Sequence, residues 1–304
     1  MPDALTLTDL ENWSPPGGDE APVRLAIFGH PVAHSLSPAM QNAALEHCGL
    51  KMRYAAYDIA PEELAAALRL LASHQFVGAN ITIPHKIEAA AIVDEVDEFA
   101  RRIGAINAVR VEGGRLLGFN TDGAGFAQAI RSEFSVDLRD LRVLVLGAGG
   151  GAGRSIAAQC AAERCERLVL VNRTREKAEQ LATELKSAFA DTRVAGPVAR
   201  LQVVPWEEHA LRAQIANVDL VVNATPIGMK RSEASALPAS LIEPHLMIYD
   251  TVYTSRRTPL LAAAAEAGAR GANGLSMLLH QGALAFERWF ERDAPLDAMR
   301  AALL

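Results

Sequence analysis

The sequence predicts an α/β fold in two domains, and three observations carry that prediction. The chain has 304 residues, and a domain takes roughly 100–200. Short runs rich in Val, Ile and Leu alternate with stretches of helical periodicity, the pattern of strands and helices wound into a parallel sheet. The alternation starts afresh at Arg142, where an apolar run leads into Gly147-Ala148-Gly149-Gly150-Gly151-Ala152-Gly153.

Residues 1–22 show no strand or helix pattern, and Ser14-Pro15-Pro16-Gly17-Gly18 marks them as a flexible tail. They have neither the basic start nor the apolar stretch of a secretory signal. The first domain is expected over 23–123. Its strands are Arg24 to Phe28, Met52 to Ile59 and Gly78 to Ile83. Ser37-Pro38 opens a helix running to about His47, and Pro61 opens the next. Pro84 suits the first position of a third helix. Ile106 to Val111 and Arg115 to Phe119 flank Glu112-Gly113-Gly114 as a hairpin.

The second domain is expected over 124–273, entered by a helix from about Gly123. Arg142 to Leu146 and Arg167 to Val171 have the leucine-rich, β-branched character of buried parallel strands. A helix over Ser155 to Arg164 joins them, and Leu201 to Val204, Leu220 to Asn223 and Met247 to Asp250 supply further strands. Residues 274–304 form C-terminal helices that return to the first domain, led by Leu275 to Trp289.

The net charge of −6 argues against a nucleic-acid partner, which calls for a basic face. Cys48, Cys160 and Cys165 are too few for a disulfide framework and form no C-x-x-C pair, so a reducing cytoplasm fits and zinc does not. No apolar run is long enough to span a bilayer. His30 and His34 are four apart, but Pro31 lies between them and spoils a helical metal pair.

The glycine run follows a strand, precedes a helix and is followed by a second strand. In that setting glycines allow a tight turn and bring backbone N–H groups against a pyrophosphate, at the positive end of the helix. The second domain therefore reads as a Rossmann-type, doubly wound dinucleotide site, with Gly147, Gly149, Gly150, Gly151 and Gly153 against the phosphates. An enzyme for NAD carries Asp or Glu after the second strand to take the ribose 2′-hydroxyl. Here the chain has Asn172-Arg173-Thr174-Arg175, with Lys177 close behind. A guanidinium binds a 2′-phosphate that a carboxylate would repel, so the expected cofactor is NADP. Arg173 is the main phosphate ligand and Arg154 a weaker one; the bland alternative is a solvated basic turn.

In the first domain, Ser35 and Ser37 could hold a carboxylate at the start of their helix, or serve only as a loop residue and an N-cap. Lys86 lies in the first turn of a helix that follows a buried strand. The positive end of a helix disfavours an ammonium, so a lysine there is placed to act as general acid or base; its alternative is an ordinary surface lysine. Asp122 in Asn120-Thr121-Asp122-Gly123 could pair with Lys86 or merely cap a helix.

Taken together, these motifs resemble the shikimate dehydrogenase family along nearly the whole chain after the tail. The matching segments are Gly29 to Pro38, Asn80-Ile81-Thr82-Ile83-Pro84-His85-Lys86, Gly104 to Val109 and Asn120 to Gly123. Further on come the glycine run, Asn172-Arg173-Thr174, Asn223 to Met229, Tyr249-Asp250 with Tyr253, and Gly274-Leu275-Ser276-Met277 with Gln281. The resemblance implies reversible reduction of 3-dehydroshikimate to shikimate with NADPH. It implies Ser35 and Ser37 on the substrate carboxylate, Thr82, Asn107, Asp122 and Gln281 on the ring hydroxyls, and Tyr253 near the substrate. Lys86 and Asp122 would be the catalytic pair. Asn172, Arg173, Thr174 and Lys177 would hold the 2′-phosphate ribose, and Asn223, Thr225, Met229, Gly274 and Met277 would line the nicotinamide side. The glycine run is one residue longer than the family's usual form, so it does not assign each glycine to a phosphate.

Two rivals remain at this stage. A quinate/shikimate dehydrogenase would admit an extra hydroxyl beside the carboxylate and use NAD or NADP. A non-catalytic dinucleotide sensor would have no reason to keep Lys86 and Asp122. Oligomeric state is left as monomer or homodimer.

Overall fold

The structure is a computed structural model, and it describes residues 4–15, 20–190, 199–230, 234–254 and 257–304. The chain divides into two compact units, Met1–Gly125 with Leu278–Leu304, and Phe126–Met277. The divisions fall inside helices α6 (Asp122–Phe134) and α11 (Leu275–Phe290).

The first unit starts with the short helix α1 (Leu7–Glu11). It continues through β1 (Val23–Gly29), α2 (Ser37–His47), β2 (Arg53–Asp58), α3 (Leu64–Ser73), β3 (Gly78–Ile81) and α4 (Lys86–Ile92). Then come β4 (Glu95–Val96), α5 (Glu98–Ile103), β5 (Ala108–Glu112), β6 (Arg115–Phe119) and the start of α6, with α12 (Leu296–Ala301) near the end of the chain. The strands form one sheet in the order β2-β1-β3-β5-β6-β4. β1 runs parallel to β2 and β3, and the β5–β6 hairpin turns the sheet antiparallel. Phe28, Tyr57, Leu64, Leu68 and Ile81 pack in its core.

Two expectations need correction here. Residues 1–22 are not simply a flexible tail. Thr6 and Asp9 form a reciprocal capping box for α1, and Leu10 is fully buried. Leu5 N–H donates to the Ala56 carbonyl at 2.9 Å and its own carbonyl accepts from Asp58 at 2.7 Å, extending the edge of β2. Trp13 packs on His74 and Phe76. Apolar residues at Leu5, Leu7, Leu10 and Trp13 offer enough area to dock the segment. Pro16, Gly17 and Gly18 of the cluster that predicted flexibility lie outside the described residues. Pro84 does not open α4 either. His85 N–H donates to the Thr82 carbonyl at 2.9 Å, closing a turn that delays the helix to Lys86.

The second unit runs from the rest of α6 through β7 (Arg142–Leu146), α7 (Gly151–Ala162), β8 (Arg167–Val171), α8 (Arg175–Leu185), β9 (Leu201–Val204) and α9 (Glu208–Ile215). β10 (Leu220–Asn223), β11 (Met247–Asp250), α10 (Pro259–Glu266), β12 (Arg270–Asn273) and the start of α11 complete it. Its sheet is wholly parallel in the order β12-β11-β10-β7-β8-β9. Counted from β7, this is the 3-2-1-4-5-6 order of dinucleotide-binding sheets, in which the strand order reverses beside the first strand. β8 is buried along its length, as the apolar pattern required. β12 has no such pattern: Arg-Gly-Ala-Asn carries no β-branched residue and is an edge strand.

Candidate active site

The first unit brings Lys86 and Asp122 together. β3 ends at Ile81, the turn over Thr82 to His85 reverses the chain, and Lys86 is the first residue of α4. Asp122 is the first residue of α6, directly after the β5–β6 hairpin. Lys86 Nζ donates to Asp122 Oδ2 at 2.5 Å, and the side chains are 11% and 4% exposed. Neither alternative for these residues survives, since Lys86 is not a free surface lysine and the Asp122 carboxylate is occupied by side chains. The other carboxylate oxygen, Oδ1, accepts from Asn107 Nδ2 at 2.9 Å.

Around this pair lies a buried polar network. Asn107 Nδ2 also lies 2.8 Å from Thr121 Oγ1 and 3.0 Å from Gln281 Oε1. Asn107 Oδ1 accepts from Thr121 N–H at 2.7 Å, and the Thr121 hydroxyl donates to the Gln281 carbonyl at 2.9 Å. Asn107, expected to meet a ring hydroxyl, thus spends its amide on orienting Asp122 and Gln281. Asn80, on β3, accepts from the Tyr54 hydroxyl at 2.7 Å and donates to the Asn107 carbonyl at 3.1 Å. The sequence reading missed Thr121, Asn80 and Tyr54. The signal was an asparagine inside an otherwise apolar, fully buried strand.

Ser37 begins α2, and no side chain caps that helix. Ser35 Oγ instead accepts the Ser37 N–H at 3.2 Å, so Ser37 is not the plain N-cap of its alternative reading. Thr82 packs against Gly29, where a Cβ would lie 2.4 Å from its methyl group. His85 is fully buried with Nε2 2.7 Å from the Ile59 carbonyl, and burial lowers its pKa. Among the described residues, no cluster of three or more His, Cys, Asp or Glu could hold a metal.

The second unit assembles the dinucleotide residues. Gly147 turns the chain at φ +84°, and a Cβ on Gly153 would lie 2.1 Å from the Gly147 carbonyl oxygen. These two positions therefore accept only glycine. Gly150 stands as N-cap of α7 without a side-chain cap and donates its own N–H to the Gly147 carbonyl at 3.1 Å, so the helix's unpaired N–H groups begin at Gly151. Asn172 Oδ1 accepts from Gly149 N–H at 3.1 Å and its Nδ2 donates to the Thr174 carbonyl at 2.8 Å, tying the loop to the end of β8. Thr174 is the N-cap of α8. Arg173 and Lys177 are exposed. Arg154 instead pairs with Glu184 at 2.5 Å.

Of the residues expected along the nicotinamide, Asn223 is fully buried. Its amide donates to Asp250 at 2.8 Å and its oxygen accepts from the Thr225 hydroxyl at 2.6 Å, so it shapes the loop rather than lining a surface. Asp250 is itself buried, and that burial raises its pKa. Met229 is 55% exposed, which excludes a core filler, whereas Met277 is buried with its N–H on the Tyr249 hydroxyl at 3.1 Å. A Cβ on Gly274 would strike the Thr251 carbonyl oxygen at 2.1 Å. Tyr253 follows β11 in this unit, half-buried.

The family model described as the shikimate dehydrogenase substrate binding domain matches residues 27–109. That for shikimate / quinate 5-dehydrogenase matches 128–248, and that for the shikimate 5'-dehydrogenase C-terminal domain matches 274–304. A shikimate dehydrogenase (NADP(+)) of Methanopyrus kandleri is 43% identical over 92% of this chain and 94% of its own. The protein of the same name from Symbiobacterium thermophilum is 44% identical over 92% and 93%. The crystal structure of shikimate 5-dehydrogenase from Thermus thermophilus in complex with NADP(H) and shikimate superposes with TM-score 0.80 at 38% identity, covering 92% of this chain and 98% of that one.

Proposed function

The chain belongs to the shikimate dehydrogenase family, and on that premise we propose how its residues share the work. The protein is an NADP-dependent oxidoreductase that interconverts 3-dehydroshikimate and shikimate. The observation that carries the assignment of roles is the buried Lys86–Asp122 contact at 2.5 Å.

Ser35 and Ser37 hold the substrate carboxylate at the open start of α2. Thr82, Asp122 and Gln281 take the ring hydroxyls, and Asn107 acts mainly by fixing Asp122 and Gln281. Tyr253 is assigned to the substrate as well. Bound NADPH supplies a hydride to the ketone carbon, and NADP takes one back in the reverse direction. Lys86 delivers the proton to the ketone oxygen on reduction and removes it on oxidation. Asp122 holds the Lys86 amine in place and accepts from the reacting hydroxyl. A general acid positioned this way contributes about 10²–10⁴ in rate.

The second unit fits the dinucleotide on its own terms. Glycines at Gly147, Gly149 and Gly153 stand where a Cβ would clash, Gly150 closes the turn onto the Gly147 carbonyl, and Gly151 offers the first free backbone N–H of the helix. No carboxylate stands at residues 172–175 directly after β8, where Arg173 and, beyond Glu176, Lys177 offer exposed positive charge to a 2′-phosphate. Thr225, Met229, Gly274 and Met277 are assigned to the nicotinamide side. We place the reaction in the cytoplasm, in keeping with the free thiols Cys48, Cys160 and Cys165, and the protein as a monomer or homodimer. Among the described residues no helix is long and apolar enough to cross a membrane.

The test is a spectrophotometric assay pairing shikimate and quinate with NADP and NAD. Shikimate with NADP should be fastest. Faster oxidation of quinate with NAD would overturn the reading, and no turnover of either would leave a binding protein.

A further inference from the structure

Ser37 and Gln41 lie one turn apart on α2, so they share a face of the helix. Both are buried. Gln41 Nε2 donates to the Gly282 carbonyl at 2.9 Å. Gly282 follows Gln281, which is joined to Asn107 at 3.0 Å, and Asn107 is joined to Asp122 at 2.9 Å. A continuous path thus runs from the helix of Ser37 to the carboxylate that holds Lys86. The contact between α2 and α11 is close: a Cβ on Gly282 would lie 2.2 Å from Met40 Cε and 3.3 Å from Gln41 Nε2.

The other half of the Gln41 amide behaves differently. Gln41 Oε1 is buried and has no hydrogen-bond donor among the described residues. A buried acceptor without a donor is costly, and that cost offsets much of what the Nε2 hydrogen bond to Gly282 contributes. Chains keep such local conflicts where function requires them.

We propose that Gln41 is a positioning residue for the substrate. Its nitrogen fixes the separation of α2 from α11, and hence of Ser37 from Gln281. Its oxygen is an acceptor that a hydroxyl of the polyhydroxylated ring satisfies, directly or through one water. The proposal rests on the assignment of Ser37 and Gln281 to the substrate.

The experiment compares the full chain with Gln41→Met, which keeps the side-chain length and removes both donor and acceptor. KM for shikimate should rise about tenfold, the loss of a single buried hydrogen bond. kcat and KM for NADP should stay within about twofold, and the melting temperature should hold, because removing the donorless acceptor offsets the loss of the Nε2 hydrogen bond to Gly282. An unchanged KM for shikimate with a lowered melting temperature would show a purely structural glutamine and overturn the proposal. If Gln41→Met does not fold, Gln41→Glu is read by the same KM criterion, and failure of both to fold also overturns it. Unaltered protein is assayed alongside. Its failure to oxidise shikimate would remove the reaction itself, whereas normal wild-type turnover with an unaltered variant KM would remove only the role of Gln41.

Discussion

Strand β8 in the second unit is buried throughout and apolar after Arg167, and the polar groups meant for a ligand come after it, on the exposed Arg173 and Lys177. In the first unit the ligand-facing chemistry is inside: Asn80, Asn107, Thr121, Asp122 and Gln281 are all buried, and the network they form is closed by hydrogen bonds. Backbone N–H groups and surface cations suffice to hold a dinucleotide, whose phosphates bring their own charge. A small uncharged ring carbon that must change hybridisation needs side chains fixed before it arrives. Substitutions of Lys86 and Asp122 in the first unit should therefore strike turnover, while those around Arg173 should strike cofactor affinity and leave the fold alone.

The contrast breaks most visibly at Asp122. Asp122→Asn keeps the shape but removes the negative partner of Lys86, so kcat should fall about 10²–10³-fold with KM for NADP nearly constant. Steady-state kinetics decide it, and a selective loss of NADP affinity would count against the division. Next in size is Arg173→Ala. A charge-assisted phosphate contact contributes about 1.5–3 kcal/mol, so KM for NADP should rise roughly 10- to 100-fold while kcat with saturating NADP and the activity with NAD stay close to their original values.

Acid should separate the units in a third way. Burial lowers the pKa of His85 and of His280, both in the first unit, from the ordinary 6.5. The unfolded chain then binds more protons than the fold below about that pH. Their contribution is present above 6.5 and is lost as pH falls toward the folded pKa values. In the second unit burial raises the pKa of Asp250, which has the opposite sign: its contribution is lost as pH rises, so mild acid does not weaken that unit through it. Hydrogen exchange at pH 7.5 and pH 5, corrected for intrinsic rates, should show protection falling in the first unit and holding in the second. The smallest effect is a surface control. Arg175 pairs with Glu179 on the exposed side of α8, and Arg175→Ala should change stability by about 0.3–0.5 kcal/mol, within reach of a careful denaturant titration.

How much was legible in the sequence follows the same division. The runs at Arg142–Leu146 and Arg167–Val171 have the bounds their apolar pattern predicts, because a strand buried on both faces advertises itself residue by residue. The glycine run and the absence of a carboxylate after β8 were equally local signals. The first unit's network was not local. Thr121 bonds Gln281 and Tyr54 bonds Asn80, and no spacing rule links residues that meet only after the sheet has formed. Asn223 misled for a related reason, since an asparagine in a loop motif can serve the loop itself. The opening segment was misread because Ser14 to Gly18 outweighed the four apolar residues before it.

The division of labour is that Lys86 performs chemistry while the second unit alone governs the dinucleotide. It is tested most directly by measuring, on Lys86→Ala, both NADP-dependent oxidation of shikimate and NADPH affinity by fluorescence titration. Turnover should fall about 10²–10⁴-fold with NADPH affinity unchanged within about twofold. Near-normal turnover, or a loss of NADPH binding that matches the loss of rate, would contradict it.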